Sequence, residues 1–326
     1  MTEYRAAVIG LGIMGRRMVG NLLRHPRFTL TGAWDPAAAA RKAAAKEFSD
    51  VPIMGDAKSL ITSAETDLVY IACPPQWHKE YALAAIAAGK PIFCEKPLGI
   101  DIRQSEDLVA RLEAAANPNV VNFVQASCAA LERTQTALGS GAAGVVSGID
   151  IVVRYRQWPR DWQTGADWLR FRDQGGYTRE VISHFVFVAE RLLGPAKLIW
   201  ARPIYPGDAA LCETHIQARL DCAGVPVSIF GSSGGVGPDR QEVTIWCSKR
   251  SHRISNFYFL ETSDGDAWTE AMAADADPRV TTLQRQLDNV AHWLGGETHT
   301  LATAGDALSV QKIIEGMLAG SDVCIA

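Results

Sequence analysis

The chain has 326 residues, about twice the length of a typical single domain, so two domains are expected. Its 48% hydrophobic and 21% charged residues are ordinary for a globular protein, and its net charge of −4 argues against nucleic acid or an anionic membrane as its main partner. No apolar run approaches the roughly 18 residues that a membrane-spanning helix needs, so no transmembrane segment is predicted.

The cysteines and the amino-terminal residues predict the compartment. The seven cysteines are odd in number and form neither a CxxC pair nor a close cluster with histidine. This pattern predicts reduced thiols, with no disulfide framework and no metal site. The first residues, Met1–Arg5, lead directly into a strand and contain no signal-peptide core, so we expect a cytoplasmic protein.

The first predicted elements are a strand over 5–9, a glycine turn over 10–15 and a helix over 14–24. A strand that turns through G-x-G-x-x-G into a helix is typical of a dinucleotide-binding βαβ unit, because the helix N-terminus then faces the pyrophosphate. An ordinary turn is the alternative. We predict cofactor contacts along this turn, at Gly10, Gly12, Ile13, Met14 and Gly15.

Asp35 follows the second predicted strand, over 28–34, and lies twenty positions after Gly15. A carboxylate at this position accepts hydrogen bonds from the adenine-ribose hydroxyls and repels a 2′-phosphate, which favours NAD over NADP. Two features keep the alternatives open. Asp35 could instead cap the helix that follows it, and the nearby Arg41 leaves NADP possible.

Strands and helices alternate through the rest of the first half. The predicted strands are 51–54, 68–72, 91–94 and 120–124, and the predicted helices are 36–48, a helix beginning at 57, 78–88 and 105–116. Repeated units of this kind give an open, doubly wound parallel sheet, with strands that read as apolar runs. We therefore predict an N-terminal Rossmann domain over 1–125.

The pattern changes after residue 125, where strands dominate. The predicted strands are 145–155, 197–205, 211–222, 225–230, 241–247 and 252–257, and the predicted helices are 129–138, 177–193, 280–294 and 304–318. Short turns between neighbouring strands indicate antiparallel hairpins. The sequence therefore predicts a C-terminal α+β domain over 126–326, with an open, mainly antiparallel sheet.

Three predicted strands of the first half end in segments that suit a cofactor site, since ligands of open α/β sheets lie beyond the carboxyl ends of the strands. Lys96, in a Glu-Lys-Pro turn after a buried strand, would supply a cation near the nicotinamide; the alternative is a solvated surface lysine. We predict cofactor contacts in these segments at Cys73, Pro74, His78, Glu95, Lys96 and Gln125.

These motifs resemble those of the glucose-fructose oxidoreductase / inositol dehydrogenase (Gfo/Idh/MocA) family. The residues that carry the resemblance are GLGIMG at 10–15, CPPQWH at 73–78, AGKPIFCEKPLG at 88–99 and GGYTREVISHFVF at 175–187. The resemblance covers nearly the whole chain. It implies a Rossmann domain, a C-terminal domain whose sheet often forms dimer or tetramer contacts, and oxidation of a sugar or polyol alcohol with NAD or NADP.

The resemblance also implies the catalytic groups. Glu180 and His184 occupy the positions of the Asp and His in the family's C-terminal motif, four apart on a predicted helix face, while Phe187 replaces a frequent second Asp. His184 would take the hydroxyl proton as general base, and Lys96 would hydrogen-bond the same oxygen. Glu180 would orient His184 or bind a second hydroxyl. The alternative for His184 is a buried histidine bonded to backbone.

Five arginines and three tryptophans lie between Arg154 and Arg172. Such a segment could line a pocket, with indoles packed on a sugar ring and guanidinium groups holding a carboxylate. It could equally form an oligomer contact or a lid. We predict substrate contacts at Tyr155, Trp162, Trp168 and Arg172.

The sequence therefore predicts an oxidoreductase that moves a hydride between nicotinamide and a secondary alcohol or ketone of a sugar, polyol or related cyclic substrate. We expect NAD as cofactor, no metal, a small-molecule substrate and a homodimer or homotetramer formed through the C-terminal sheet. The alternatives are a reductase of a non-sugar carbonyl or imine, suggested by Phe187 and the tryptophans, an NAD-using glycoside hydrolase, and a non-catalytic dinucleotide sensor.

Overall fold

The computed structural model describes residues 2–273 and 275–321. These residues form two compact units, the first from 2–123 with 283–308 and the second from 124–282 with 309–321. The predicted division at residue 125 assigns the whole remainder of the chain to the second domain, whereas residues 283–308 belong to the first unit. The physical reason is main-chain and side-chain bonding: Val121 N donates to Ala302 O at 2.8 Å, and Gln286 Nε2 donates to Asn122 Oδ1 at 3.2 Å.

The first unit is built on a parallel sheet of five strands. The strands are β1 Tyr4–Ile9, β2 Phe28–Trp34, β3 Leu68–Ile71, β4 Ile92–Glu95 and β5 Asn119–Asn122. Their order is β2-β1-β3-β4-β5, and every neighbouring pair is parallel. The order reverses between β1 and β3, which is where open α/β sheets bind their ligands. The predicted doubly wound sheet is confirmed.

The helices within the described residues begin and end close to the predicted positions, except that the one predicted over 177–193 begins as an α-helix only at Ser183. They are α1 Ile13–Leu22, α2 Ala38–Glu47, α3 Ala57–Thr62, α4 His78–Ala87, α5 Ile102–Ala114, α6 Ala129–Gly139, α7 Ser183–Leu193, α8 Pro278–Leu294 and α9 Ala304–Ala319. Aspartates cap two of them: Asp56 accepts a bond from Ser59 N, and Asp101 accepts one from Gln104 N. No helix within the described ranges is long and apolar enough to cross a lipid bilayer.

The predicted strand over 51–54 is wrong as a full strand. Only Ile53 forms a bridge, which is parallel and pairs with Ala33. Ala33 N donates to Pro52 O at 2.9 Å, and Met54 N donates to Ala33 O at 2.9 Å. Pro52 has no N–H to donate, so the pairing does not extend along the segment.

The second unit is built on an eight-stranded sheet. Its strands are β6 Val146–Tyr155, β7 Ala196–Ile204, β8 His215–Cys222, β9 Val225–Ser233, β10 Arg240–Cys247, β11 Ser251–Ser255, β12 Phe259–Ser263 and β13 Thr269–Glu270. Their order is β13-β12-β11-β10-β6-β9-β8-β7, and β6 and β9 are parallel while the other neighbours are antiparallel. The predicted, mainly antiparallel sheet is confirmed.

One face of this sheet forms the core of the second unit. Along β6, Ile149, Ile151, Val153 and Tyr155 are buried and the residues between them are not, as expected for a strand with one covered face. The buried helix α7 packs against β7 and β8. The predicted strand over 211–222 is shorter in the structure and begins at His215, while β12 and β13 were not predicted because FLETS and TE lack an apolar pattern.

Candidate functional site

The glycine turn after β1 has the geometry that its spacing predicts. Gly10 has a φ of +104°, and a Cβ added there would lie 2.6 Å from the main-chain carbon of Ala72. A Cβ added to Gly15 would lie 1.9 Å from Gly10 O, so this glycine permits close packing of α1 on the strand. Both positions therefore require glycine for the fold itself.

Gly12 differs from its two neighbours in the motif. It is exposed, its φ is −68°, and a Cβ added there would have no atom within 4 Å. It is the N-cap of α1, with no side-chain cap, and the first turn contains no acidic residue. The first N–H groups of α1, from Ile13 onward, are thus open to an anion, which fits the pyrophosphate of a dinucleotide.

Asp35 connects the end of β2 to the glycine turn. Its carboxylate accepts hydrogen bonds from Leu11 N at 2.7 Å and from Ala37 N at 2.8 Å, and it remains partly exposed. The alternative role as helix cap is not realised, because the N-cap of α2 is Ala37. Arg41 Nη1 donates to the main-chain oxygen of Asp35 at 2.6 Å, so a guanidinium group also lies beside this position.

His78, which is 1% exposed, anchors the loop after β3. Its Nε2 lies 2.8 Å from Cys73 O and its Nδ1 lies 3.0 Å from Pro97 O, so the ring joins the loop after β3 to the loop after β4. Burial lowers the pKa of His78 and raises that of Cys73 to about 12, so the thiol stays protonated. Pro74 is partly exposed at the start of the loop.

Lys96 follows a buried carboxylate that fixes the end of β4. Glu95 is 5% exposed, and its Oε1 accepts hydrogen bonds from the Tyr70 hydroxyl and from Asn122 Nδ2. Gln286 continues the network to Asn122. The Glu95 side chain is therefore directed into the first unit and anchors the turn, and Lys96, 9% exposed, comes next in the chain. Burial and Glu95 together raise the pKa of Tyr70.

Gln125 lies in a 3₁₀ turn, Val124–Ser127, at the start of the second unit. Its side chain is 2% exposed, and neither amide atom has a hydrogen-bond partner among the residues that the structure describes. Buried amides are normally bonded, so this side chain stands out as a group suited to a ligand.

The helix that carries Glu180 and His184 is not one continuous α-helix. Thr178–Ile182 form a π-helical turn, and α7 begins at Ser183. The predicted spacing of four on one α-helical face therefore does not hold across Glu180, because a π turn is wider. His184 is 9% exposed, and its ring packs edge-on against Phe257 at 5.6 Å.

Two carboxylates, one buried and one partly exposed, hold this helix in the second unit. Glu213 is 2% exposed and accepts a hydrogen bond from Thr178 N at 2.8 Å, which caps the π turn. Glu315 binds Arg179 through two bonds, of 2.6 and 2.7 Å. Burial raises the pKa of Glu213. Phe187, at the position of the second family Asp, is 2% exposed and packs in the core under the guanidinium of Arg191.

The segment between Arg154 and Arg172 forms an aromatic cluster around Arg160. The guanidinium carbon of Arg160 lies 4.9 Å from the ring centre of Tyr155, 5.6 Å from Trp158 and 4.6 Å from Trp162. Arg279 lies 5.4 Å from the ring centre of Trp162. Burial lowers the pKa of Arg160, but the group stays charged.

The four predicted substrate residues are not brought together as one group. Tyr155 and Trp162 both flank Arg160, whereas Arg172 stacks on the ring of Tyr205 at 3.8 Å. Trp168 is in a separate 3₁₀ turn, Asp167–Arg170. Arg160 was not among the predicted site residues, although its position between Trp158 and Trp162 was a usable signal. Arg279 carried no such signal, because only the fold brings it to Trp162.

No group of three or more His, Cys, Asp or Glu side chains within residues 2–273 and 275–321 has the geometry to hold a metal ion.

Comparison with known proteins shows what the first unit is similar to. Residues 4–123 match the family model described as an oxidoreductase family with an NAD-binding Rossmann fold. The inositol 2-dehydrogenase of Acidothermus cellulolyticus is 37% identical over 99 residues, which are 29% of this chain and 28% of that protein. The aligned part thus spans less than a third of that relative.

Solved structures share the fold over the whole chain. An oxidoreductase from Agrobacterium radiobacter in complex with NAD+, L-tartaric acid and magnesium has a TM-score of 0.82 at 21% identity, over 99% of both chains. The WlbA dehydrogenase from Bordetella pertussis, in complex with NADH and UDP-GlcNAcA, has a TM-score of 0.79 at 19% identity, over 98% of this chain and 96% of that one. The match to the family model therefore bears out, for residues 4–123, the resemblance to the Gfo/Idh/MocA oxidoreductase family inferred from the motifs.

Proposed function

We propose that this protein is an NAD-dependent oxidoreductase that moves a hydride between nicotinamide and a secondary alcohol or ketone of a sugar, polyol or related cyclic substrate. The observation that carries the proposal is the hydrogen bonding of Glu95, the residue that precedes Lys96. A carboxylate bonded to Tyr70 and Asn122 fixes the end of β4, which is the position where a cation serves such a reaction. The similarity to inositol 2-dehydrogenases points to the same reaction class.

The first unit supplies the cofactor site in this proposal. The N–H groups at the start of α1 hold the pyrophosphate, with Gly12, Ile13 and Met14 lining the approach. Asp35 accepts hydrogen bonds from the ribose hydroxyls and repels a 2′-phosphate, which makes NAD the preferred form. When bound, the dinucleotide supplies the hydride chemistry at its nicotinamide ring.

The protein's own residues supply proton transfer and charge stabilisation. His184 takes the proton from the substrate hydroxyl, since imidazole titrates near neutral pH. Lys96 donates a hydrogen bond to that oxygen, which stabilises developing alkoxide charge in oxidation or polarises the carbonyl in reduction. Glu180 orients His184 or binds a second substrate hydroxyl. The Glu213 cap on Thr178 keeps the π turn, and therefore Glu180, in place.

The open face of the second sheet is the proposed oligomer contact. Trp246, Phe230 and Ile204 are 42%, 51% and 58% exposed, and the strand register puts Phe230 opposite Val152 and Gln217 on that face. Large exposed apolar side chains on one sheet face are typical of a protein interface. We expect a homodimer or homotetramer by light scattering, and we expect Phe230→Glu to reduce its mass to that of a monomer.

A cytoplasmic location is part of the proposal. Cys73, Cys94, Cys128, Cys212 and Cys222 are buried and form no disulfide within the described residues, as expected in a reducing compartment. Cell fractionation of the untagged protein checks this expectation.

Lys96→Met is the variant that tests the catalytic assignment. With sugars and polyols as substrates and nicotinamide absorbance as the readout, we expect kcat to fall by about 100- to 1000-fold, as for the loss of an oxyanion donor. NAD affinity should stay near that of the wild type. Lys58→Met, at an exposed lysine in α3, is the matched control and should leave both quantities unchanged.

Turnover by Lys96→Met within a few-fold of the wild type would contradict the assignment. Release of nitrophenol from an aryl glycoside without net reduction of NAD would instead support a glycoside hydrolase.

A further inference from the structure

Arg160 is a cation whose hydrogen-bonding capacity is largely unused within the described part of the chain. Its Nε donates to Gln163 Oε1 at 3.1 Å, and its main-chain N donates to the same oxygen. Its two terminal nitrogens have no acceptor there, and no described carboxylate forms an ion pair with it. The group is nevertheless partly buried among three aromatic rings, so water cannot fully replace the missing acceptors.

A second cation shares one of these rings. The guanidinium carbons of Arg160 and Arg279 lie 4.6 and 5.4 Å from the same ring centre, that of Trp162. Arg279, too, has no ion pair with a carboxylate among the described residues. Two cations held at one indole repel each other, so the arrangement favours a bound anion.

The other charges around the cluster are few. Glu180 and Asp239 act on Arg160 and Tyr155 through longer-range Coulomb attraction or repulsion. Asp239 already accepts a hydrogen bond from Arg156 N at 2.9 Å. The proximity of Glu180 also relates the cluster to the helix that carries the proposed proton-transfer groups, and all of these residues belong to the second unit.

The hydroxyl of Tyr155 is a further unused donor. Tyr155 is fully buried, and its ring centre lies 4.9 Å from the guanidinium carbon of Arg160. Its hydroxyl oxygen has no hydrogen-bond partner within the described residues. Buried tyrosine hydroxyls normally find a partner. The cluster thus combines a guanidinium fork, a second cation, a hydroxyl and aromatic walls.

We propose that Arg160, assisted by Arg279, binds a carboxylate of the substrate, which makes the substrate a sugar acid or a related hydroxy acid rather than a neutral polyol. This inference rests on the proposed function and adds its substrate class. Guanidinium groups bind carboxylates through two parallel hydrogen bonds, and the flanking Tyr155 and Trp162 can pack on the carbon skeleton. Glu180 nearby disfavours a phosphate dianion more than a carboxylate with one negative charge.

Direct binding tests the inference without requiring turnover. Isothermal titration calorimetry measures D-galacturonate, its neutral parent D-galactose and D-galactose 6-phosphate on the wild type, on Arg160→Gln and on Arg279→Gln. For galacturonate we expect Arg160→Gln to raise Kd by about 30- to 100-fold, and Arg279→Gln by about 5- to 10-fold. Arg160→Lys should recover only part of the loss, because an ammonium cannot make the two-bond contact.

Arg170→Gln is the matched control, since it removes one positive charge from an exposed arginine of the same segment. It should leave the Kd for galacturonate unchanged, which separates a local contact from a general loss of charge. Circular dichroism and the midpoint of thermal unfolding establish that each variant is folded. If Arg160→Gln fails to fold, Arg279→Gln and Arg160→Lys carry the test.

The outcomes separate this inference from the proposed function. Galactose bound as tightly as galacturonate, binding of the sugar phosphate alone, or an equal loss in Arg170→Gln would overturn the carboxylate site. Reduction of NAD with neutral sugars only, together with no binding of galacturonate, would sustain the proposed function and overturn this inference. Binding of galacturonate that depends on Arg160, with no NAD reduction by any substrate, would sustain the site and overturn the proposed function.

Discussion

The two units differ in how completely their buried polar groups are bonded. Every buried side-chain polar atom that lacks a hydrogen-bond partner within the described residues lies in the second unit, including those of Gln125, Tyr155, Tyr177 and Gln311. In the first unit, by contrast, Glu95 and His78 are buried and bonded. An unbonded buried group costs about 1–3 kcal/mol of folding free energy.

This difference matches what each unit has to recognise. In the proposed function the first unit binds a dinucleotide, and main-chain N–H groups at a helix N-terminus suffice to bind its phosphates. A substrate has to be distinguished from similar molecules, and side chains that remain unbonded until it arrives provide that selectivity. Within the described residues, the unused bonding capacity of buried polar side chains is therefore concentrated in the second unit.

The largest expected effect comes from two substitutions in the glycine turn, one of which should reduce stability and the other NAD binding. Gly15→Ala should lower the free energy of unfolding by about 3 kcal/mol or more, because its Cβ would lie 1.9 Å from Gly10 O. Gly12→Ala should change stability by about 1 kcal/mol at most, yet weaken NAD binding by at least about 10-fold, because its Cβ takes the space of the pyrophosphate. Urea denaturation and fluorescence titration measure the two quantities, and equal NAD affinity in Gly12→Ala and wild type would contradict the assignment.

The next effect concerns the cofactor preference. Asp35→Ser should reduce the preference for NAD over NADP by about 100-fold, because it removes a charge that repels the 2′-phosphate and leaves Arg41 beside it. The ratio of the two dissociation constants is the measurement. Asp50→Ser, at an exposed aspartate of the same unit, is the control. NADP binding equal to or tighter than NAD binding in the wild type would refute the role of Asp35.

A matched pair of tyrosines tests the contrast in bonding itself. Tyr70→Phe removes a donor to the buried carboxylate of Glu95 and should lower the free energy of unfolding by about 1–3 kcal/mol. Tyr177→Phe removes a fully buried hydroxyl that has no partner in the described part of the chain, so it should be neutral or stabilising by up to about 1 kcal/mol. Chemical denaturation measures the free energy of unfolding of both variants. Equal destabilisation by the two would contradict the difference in hydrogen bonding between the units.

The smallest effect is a dependence of stability on pH. Burial lowers the pKa of His252, whose ring nitrogens have no partner among the described residues. As the pH falls through about 6.5, the unfolded chain binds a proton that the folded chain does not, so stability decreases on acidification. His252→Phe should lose less stability than the wild type between pH 8 and pH 5.5, by about 1–3 °C in Tm. The exposed His215→Phe should follow the wild type.

Most of the first unit could be predicted because its strands are buried on both faces and therefore read as apolar runs. Leu68–Ile71 is an example, and the predicted 68–72 differs from it by one residue. β12 and β13 gave no such pattern, and they are strands because β12 pairs with β11 and β13 pairs with β12. The π turn at Thr178–Ile182 likewise depends on Glu213, which lies far away in the sequence.

The candidate site could be predicted as a set of positions but not as a set of contacts. The glycine turn and Asp35 follow from spacing alone. Glu95 was predicted as a cofactor contact, which stays a prediction; the bonds of its carboxylate to Tyr70 and Asn122 inside the unit could not be read from the sequence. The position of Arg160 between Trp158 and Trp162 can be read from the sequence, but only the fold brings Arg279 to the same indole.

Residues 283–308 belong to the first unit, which affects how a fragment of this protein has to be designed. β5 is the edge strand of its sheet. Val121 N on this strand donates a hydrogen bond to Ala302 O, which lies far away in the sequence. A fragment that stops at residue 125 would expose that strand edge, which favours aggregation. A nucleotide-binding fragment that folds independently should therefore join residues 1–123 to 283–308 through an engineered linker.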